Sequence, residues 1–216
     1  MSFIMFIAAS MLEYISFFIF VMVLFRFSVK ENIFKFVLGA LILAFVSNTI
    51  QTESLQDISP VVNVFILIFL TIIILRVRLF HSFIMVVIVY VAVALVQWLL
   101  YAILIYFKVF NDFVPYTKSG YVLQIISSLF VCLISGFIYL SKGGFSYIQS
   151  SSRFYKDSIK GNKLFFIFLV LGLIILFIVN ILYMTSFKLI DSVSIVAISI
   201  IAVLFILVYF SIRKER

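Results

Sequence analysis

Long stretches of apolar residues dominate this chain, separated by short polar segments. Seven of these stretches reach or approach the roughly 20 residues that a helix needs to cross a ~30 Å hydrocarbon core. They cover residues 3–25, 36–50, 61–75, 83–107, 121–140, 164–187 and 192–212. The pattern predicts an all-α fold, a single polytopic bundle of about seven transmembrane helices that occupies residues 1–216.

Composition agrees with this interpretation. Apolar residues make up 66% of the chain and charged residues 11%, and the mean hydropathy is +1.36. A soluble domain of this length carries a far more charged surface. Because the chain has only two prolines and seven glycines, little interrupts the apolar stretches. An unusually apolar soluble core is therefore the weaker interpretation.

The net charge of +8 has two possible meanings. Nucleic-acid binding would require a basic patch on a folded soluble surface, whereas these basic residues lie in short segments between apolar stretches. Cytoplasmic loops of membrane proteins carry an excess of lysine and arginine. One side of the predicted bundle collects thirteen of the sixteen basic residues, namely Arg26, Lys30, Lys35, Arg76, Arg78, Lys142, Arg153, Lys156, Lys160, Lys163, Arg213, Lys214 and Arg216.

Only Lys108, Lys118 and Lys188 fall on the other side. The sequence thus predicts an N-terminus outside and a C-terminus inside. Removing the short second or third span would mix the two groups, so seven spans explain the charges better than six. A cleaved signal peptide is the alternative for the first stretch, but such a peptide starts with basic residues and none precedes Arg26. We expect a retained span.

Glu13 is the one acidic residue deep inside an apolar stretch. A charge at that depth costs about 2.5–3.5 kcal/mol on insertion scales, so such groups usually face the interior of a bundle. Ser10 and Ser16, three residues to either side, share its helical face. Two interpretations stay open: a proton or ligand site, and interhelical hydrogen bonding. A carboxylate dyad is excluded because no second buried acid accompanies Glu13.

Five amide side chains within the apolar stretches all fall in the outer halves of their predicted spans. They are Asn48, Asn63, Gln97, Gln124 and Asn180. Three of them could simply lie at the level of the lipid headgroups, but Gln97 and Asn180 are deeper. Together with Glu13, these amides form a hypothetical ligand-binding set around a polar cavity open to the outside, with Trp98 and nearby tyrosines in its wall.

The segment 141–163 is the largest predicted cytoplasmic surface. Phe145, Ile148, Tyr155 and Ile159 recur at nearly helical spacing. The same segment contains four further basic residues, Arg153, Lys156, Lys160 and Lys163. This pattern predicts a short helix lying on the anionic inner leaflet. Docking to a cytoplasmic partner is the alternative.

Catalytic motifs are missing from the sequence. His81 is the only histidine and Cys132 the only cysteine, and they fall at different depths of the predicted bundle, so neither a metal site nor a cysteine–histidine pair is expected. Neither HExxH nor GxSxG occurs. Gly143-Gly144 is predicted to be a turn after the fifth stretch and lacks the spacing of a phosphate loop. We expect neither enzymatic activity nor a cofactor.

The stretches LFRFSVKEN at 24–32 and GGF at 143–145, taken with the order of the spans, resemble the membrane region of peptide-sensing bacterial histidine kinases of the accessory-gene-regulator C type. That resemblance implies a helical sensor module. Residues 213–216 hold neither a phospho-acceptor histidine nor an ATP site, so it further implies a module lacking the kinase domain.

These observations favour a non-enzymatic sensory or regulatory protein in a bacterial cytoplasmic membrane. It would recognise a small hydrophobic or peptide ligand and signal through a partner, such as a cytoplasmic kinase or another membrane subunit. The alternative is a small transporter or permease component that uses Glu13. Transport would favour helices broken by glycine or proline at mid-membrane, but Pro60 and Pro115 both lie in predicted external loops.

Overall fold

A computed structural model describes residues 3–52, 59–109, 117–148, 167, 169–175, 177 and 190–215. For residues 51–52, 118, 190–200 and 214–215 it describes the backbone alone. Regular structure in these ranges is entirely α-helical. The helices are α1 (Phe3–Leu24), α2 (Val29–Thr52), α3 (Ser59–Leu75), α4 (Leu79–Tyr106), α5 (Lys118–Leu140), α6 (helical residues 169–175) and α7 (Ile190–Glu215).

Four of these helices are long and apolar enough to cross a membrane. The candidate spans are Phe3–Leu24, Val29–Ile50, Leu79–Tyr106 and Ser119–Leu140, in α1, α2, α4 and α5. The prediction of an all-α fold is confirmed for the described residues, and these four helices agree with the prediction of membrane spans. Ser59–Leu75 is apolar but shorter.

Two helices, α2 and α4, begin four or more residues before their apolar stretches. α2 begins at Val29 and includes Lys30 and Lys35 in its first turns, which supplies the length that stretch 36–50 lacks. α4 begins at Leu79, so residues 76–78 alone separate it from α3. Lysine and glutamate are good helix formers, so a helix can continue past the end of its apolar stretch.

α1 is the central helix of the bundle. It packs most extensively against α5 and α2 and also contacts α4. Phe18, Val21 and Met22 of α1 are almost fully buried. Many large apolar side chains elsewhere are exposed, including Phe65 and Phe137. Apolar side chains on the outside of a helical bundle suit contact with lipid rather than water.

Four helices end on a basic residue in the left-handed backbone region. These residues are Arg26, Arg76, Lys108 and Lys142, with φ between 52° and 57°. After α1, the amide of Phe27 donates to the Met22 carbonyl at 2.7 Å, and corresponding bonds close α4 and α5. This is the Schellman arrangement, in which glycine is the usual left-handed residue. A cation there also interacts favourably with the negative end of the helix dipole.

The basic segment after α5 begins without a helix. Residues 141–148 form turns and irregular backbone, so the helix predicted from the spacing of Phe145 and Ile148 is wrong over this part. The physical reason is that Phe145 packs on α1 and Ile148 is buried, so the two do not form one lipid-facing stripe. The rest of that prediction, with Arg153, Lys156, Lys160 and Lys163, lies outside the described residues.

Candidate functional site

Side chains from three helices meet at Glu13. Nε2 of Gln97, on α4, donates a hydrogen bond to Oε1 of Glu13 at 2.6 Å. Nε2 of Gln124, on α5, donates to Oε2 of the same carboxyl. Half of the predicted ligand-binding set therefore comes together in one place. We call Glu13, Gln97 and Gln124 the polar cluster.

Hydroxyl groups next to the cluster are satisfied by their own helices. Ser16 donates to the Glu13 carbonyl at 2.7 Å, and Ser127 and Ser128 both donate to the Gln124 carbonyl. Serine commonly bonds to the preceding helical turn in this way. These hydroxyls thus do not compete for the Glu13 carboxyl. Their small size also allows close packing, and Ser10 and Ser16 are both buried on α1.

The chemistry available at the cluster is hydrogen-bond exchange. A carboxylate offers about four acceptor positions on its two oxygens, and the two amides occupy one on each oxygen. Glu13 as a whole residue is half-buried. Tyr90 lies two turns before Gln97 on the same face of α4 and interacts electrostatically with Glu13. We did not single out Tyr90 from the sequence, although that spacing could have indicated it.

Asn63 lies apart from the polar cluster. Its Nδ2 is 3.4 Å from the hydroxyls of both Ser47 and Ser59, which connects α2 to the start of α3. Its Oδ1 is buried and has no hydrogen-bond partner among the described residues. Asn48 is half-buried beside Ser47. Asn180 lies outside the described residues, so the predicted outward cavity stays a prediction.

A second contact joins the end of α1 to the segment after α5. The Phe145 amide donates to the Leu24 carbonyl at 2.7 Å. Arg26 donates through Nη2 to the Lys142 carbonyl at 3.0 Å and through Nε to the Gly143 carbonyl at 3.3 Å. We call this contact, made by residues 24–26 and 142–145, the clamp.

Gly144 allows the chains to approach this closely in the clamp. Its φ is +99°, and a Cβ atom there would lie 2.7 Å from the Leu24 carbonyl oxygen. The rings of Phe25 and Phe145 pack next to it with centroids 5.8 Å apart. The sequence indicated only a turn at Gly143-Gly144. Glycine can signal close backbone approach. The segment it approaches, at the end of α1, is more than a hundred residues away in the sequence and could not be inferred.

The two residues considered for catalysis are part of the packing. His81 is buried at the start of α4 beside Phe80, whereas Cys132 is half-buried within α5 and forms no disulfide. Across the described residues, no group of three or more histidine, cysteine, aspartate or glutamate side chains could hold a metal ion.

The chain matches no protein-family model, no curated protein and no solved structure.

Proposed function

We propose that this protein is a non-enzymatic sensory or regulatory protein of a bacterial cytoplasmic membrane, with seven spans, its N-terminus outside and its C-terminus inside. The long apolar helices α1, α2, α4 and α5 support a membrane location. The uneven distribution of basic residues supports the orientation. The resemblance to the accessory-gene-regulator C sensor region supports the sensory role. The two stretches that carry it, 24–32 and 143–145, overlap the two sides of the clamp.

The observation that carries the proposal is the polar cluster. In this topology Gln97 belongs to the outer half of α4 and Gln124 to the outer part of α5, so a ligand entering from outside can reach them. A peptide brings backbone N–H groups, which are donors of the same kind as the two amides. Such a ligand would replace Gln97 or Gln124 at the Glu13 carboxyl. Binding would thereby release α1 from α4 or α5.

Further contacts for such a ligand come from the asparagines. The buried Oδ1 of Asn63 is an acceptor with no partner in the described part of the chain, and an N–H group of a bound peptide would satisfy it. Asn48 and Asn180 complete the proposed set. The surrounding helices are strongly apolar, which favours a hydrophobic peptide or small molecule over a polar one.

Output would pass through the clamp. Because the end of α1 is joined there to the segment that follows α5, movement of α1 is transmitted to that segment. In this proposal Arg153, Lys156, Lys160 and Lys163 contact the inner leaflet or a partner, either a cytoplasmic kinase or another membrane subunit.

Reporter fusions test the topology. A fusion at Asp57 is expected to report the outside and a fusion after Arg216 the cytoplasm. If both report the same compartment, the seven-span arrangement and the outward-facing cluster are wrong.

Binding and uptake measurements test the function itself. Purified protein is screened against short apolar peptides by thermal unfolding, where a ligand at a hundred times its Kd stabilises the folded state by about 2.7 kcal/mol. Glu13→Leu should abolish that stabilisation, because it removes the acceptor that the ligand would bind, and Thr49→Val, on an exposed face, should leave it unchanged. In parallel, wild type and Glu13→Gln are compared in proteoliposomes for proton-coupled uptake. Accumulation of any solute that depends on Glu13 would replace the sensory proposal with the transport alternative.

A further inference from the structure

A groove of about 840 Å³ lies beside the clamp, between the ends of α1 and α5. Arg26, Ser28 and Lys142 provide its polar lining. Val23, Tyr139 and Leu140 provide much of the rest. None of the described residues that line it is acidic, so the groove combines two positive charges with an apolar wall.

The backbone places both basic residues beside the groove. Arg26 and Lys142 are the left-handed residues that end α1 and α5, with φ of 57° and 52°. Arginine has five N–H donors, and the contacts to the Lys142 and Gly143 carbonyls involve Nε and Nη2. Those contacts fix the plane of the guanidinium beside the groove. The remaining donors can bind an anion with the paired geometry that arginine offers to phosphate.

The apolar side of the groove continues along α5. Tyr139 is 67% exposed and Leu140 81%, and Phe137 on the same helix is 73% exposed. Side chains that are this large, apolar and uncovered on a membrane helix are suited to acyl chains. A ligand that fits both parts must be amphiphilic, with an anionic head and a hydrocarbon tail.

We propose that this groove binds the phosphate headgroup of an anionic phospholipid between Arg26 and Lys142, with its acyl chains along Tyr139 and Leu140. The inference requires the chain to lie in a membrane, but it does not depend on the sensory role. Free phosphate has the same headgroup chemistry but makes no use of the apolar wall. The proposal therefore commits to the lipid.

Native mass spectrometry of the full chain in detergent tests this. The probes are phosphatidylglycerol, phosphatidylcholine and inorganic phosphate, and the variants are Lys142→Gln and Arg26→Gln. Phosphatidylglycerol is expected to bind wild type more tightly than either other probe. Each variant should weaken its binding about five-fold, as expected for one basic residue near an anionic headgroup.

Lys108→Gln is the matched control, because Lys108 is also a left-handed basic residue at a helix end but does not line the groove. It should leave binding unchanged, and circular dichroism should show that all three variants remain helical. Equal binding of the two lipids, or an equal loss in Lys108→Gln, would mean unspecific attraction and would overturn the proposal. Phosphate binding as tight as the lipid would also overturn it, in favour of a free-anion site. Neither result depends on the reporter fusions or the uptake assay. The lipid site can therefore be disproved while the sensory function stands, and the sensory function can be disproved while the lipid site stands.

Discussion

Two of the contacts between α1 and the α5 region differ in kind. The polar cluster joins the middle of α1 to α5 and α4 through flexible side chains that meet at the Glu13 carboxyl. The clamp joins the end of α1 to the segment after α5 through main-chain carbonyls and a glycine with no room for a Cβ. Side-chain amides can exchange partners with a ligand by rotating about their own bonds, so this contact can break without a change in backbone conformation. The clamp can open only if a whole helix end moves.

This difference assigns a different role to each contact. Interhelical hydrogen bonds in membrane proteins contribute modestly, about 0.6 kcal/mol on average and up to about 1.7. The clamp adds close packing of backbone and aromatic rings to its hydrogen bonds. We therefore expect the clamp to be the fixed point of the α1–α5 pair and the polar cluster to be its adjustable point.

Replacing Gly144 should have the largest effect. In Gly144→Ala, the new Cβ would lie 2.7 Å from the Leu24 carbonyl oxygen and 3.0 Å from that of Val23, in a backbone conformation that alanine rarely adopts. The clash is with backbone and cannot be relieved by a side-chain rotation. We expect a loss of about 2–3 kcal/mol in the free energy of unfolding, measured by denaturant titration in mixed micelles.

Gly136→Ala is the matched control for that change. Gly136 lies within α5, and a Cβ there would meet no atom within 4 Å. Since alanine is the better helix former by about 1 kcal/mol, this variant should be at least as stable as wild type. Equal losses in both glycine variants would show that α5 itself, rather than the clamp, is sensitive to alanine.

The polar cluster should show smaller, pairwise energies. Double-mutant cycles combine Glu13→Ala with Gln97→Ala, and separately with Gln124→Ala. Each coupling energy is expected to be about 1 kcal/mol, because each cycle reports one interhelical hydrogen bond. A third cycle, between Glu13→Ala and Asn63→Ala, serves as the control and should give about zero, since the two residues share no partner. Coupling as large in the third cycle would mean that these variants disturb the whole bundle.

Much of the fold follows from the sequence, because lipid imposes simple rules on a chain. Long apolar stretches predicted α1, α4 and α5 to within a few residues at most ends. The start of α2 was missed because Lys30, Glu31, Asn32 and Lys35 interrupt the apolar pattern there. Hydropathy does not detect a helix that extends beyond the apolar layer. The helix predicted at the start of the basic segment after α5 was also wrong. Phe145 packs against Phe25 at the end of α1, and Ile148 is buried.

The site could be predicted only in part. Glu13, Gln97 and Gln124 were found because polar groups in an apolar stretch are costly and so are seldom accidental. Their meeting was not predicted, since the rotation of each helix depends on packing between residues far apart in sequence. The clamp was missed altogether, because its contacts are mainly to backbone carbonyls, which every residue carries.

The smallest predicted effect measures the contribution of Arg26 to the clamp. Arg26→Gly and Lys108→Gly both remove a cation from a helix end and both place glycine where φ is about 55° in this structure, 57° and 52° respectively. The gain from relieving the left-handed backbone and the loss of the charge–dipole interaction should therefore be nearly the same in the two variants. Only Arg26→Gly also removes side-chain hydrogen bonds, those to the Lys142 and Gly143 carbonyls.

Because these bonds are solvent-exposed, Arg26→Gly should be less stable than Lys108→Gly by only about 0.5 kcal/mol in the same titration. Equal stabilities would place the strength of the clamp wholly in Gly144, Phe145 and the Leu24 carbonyl.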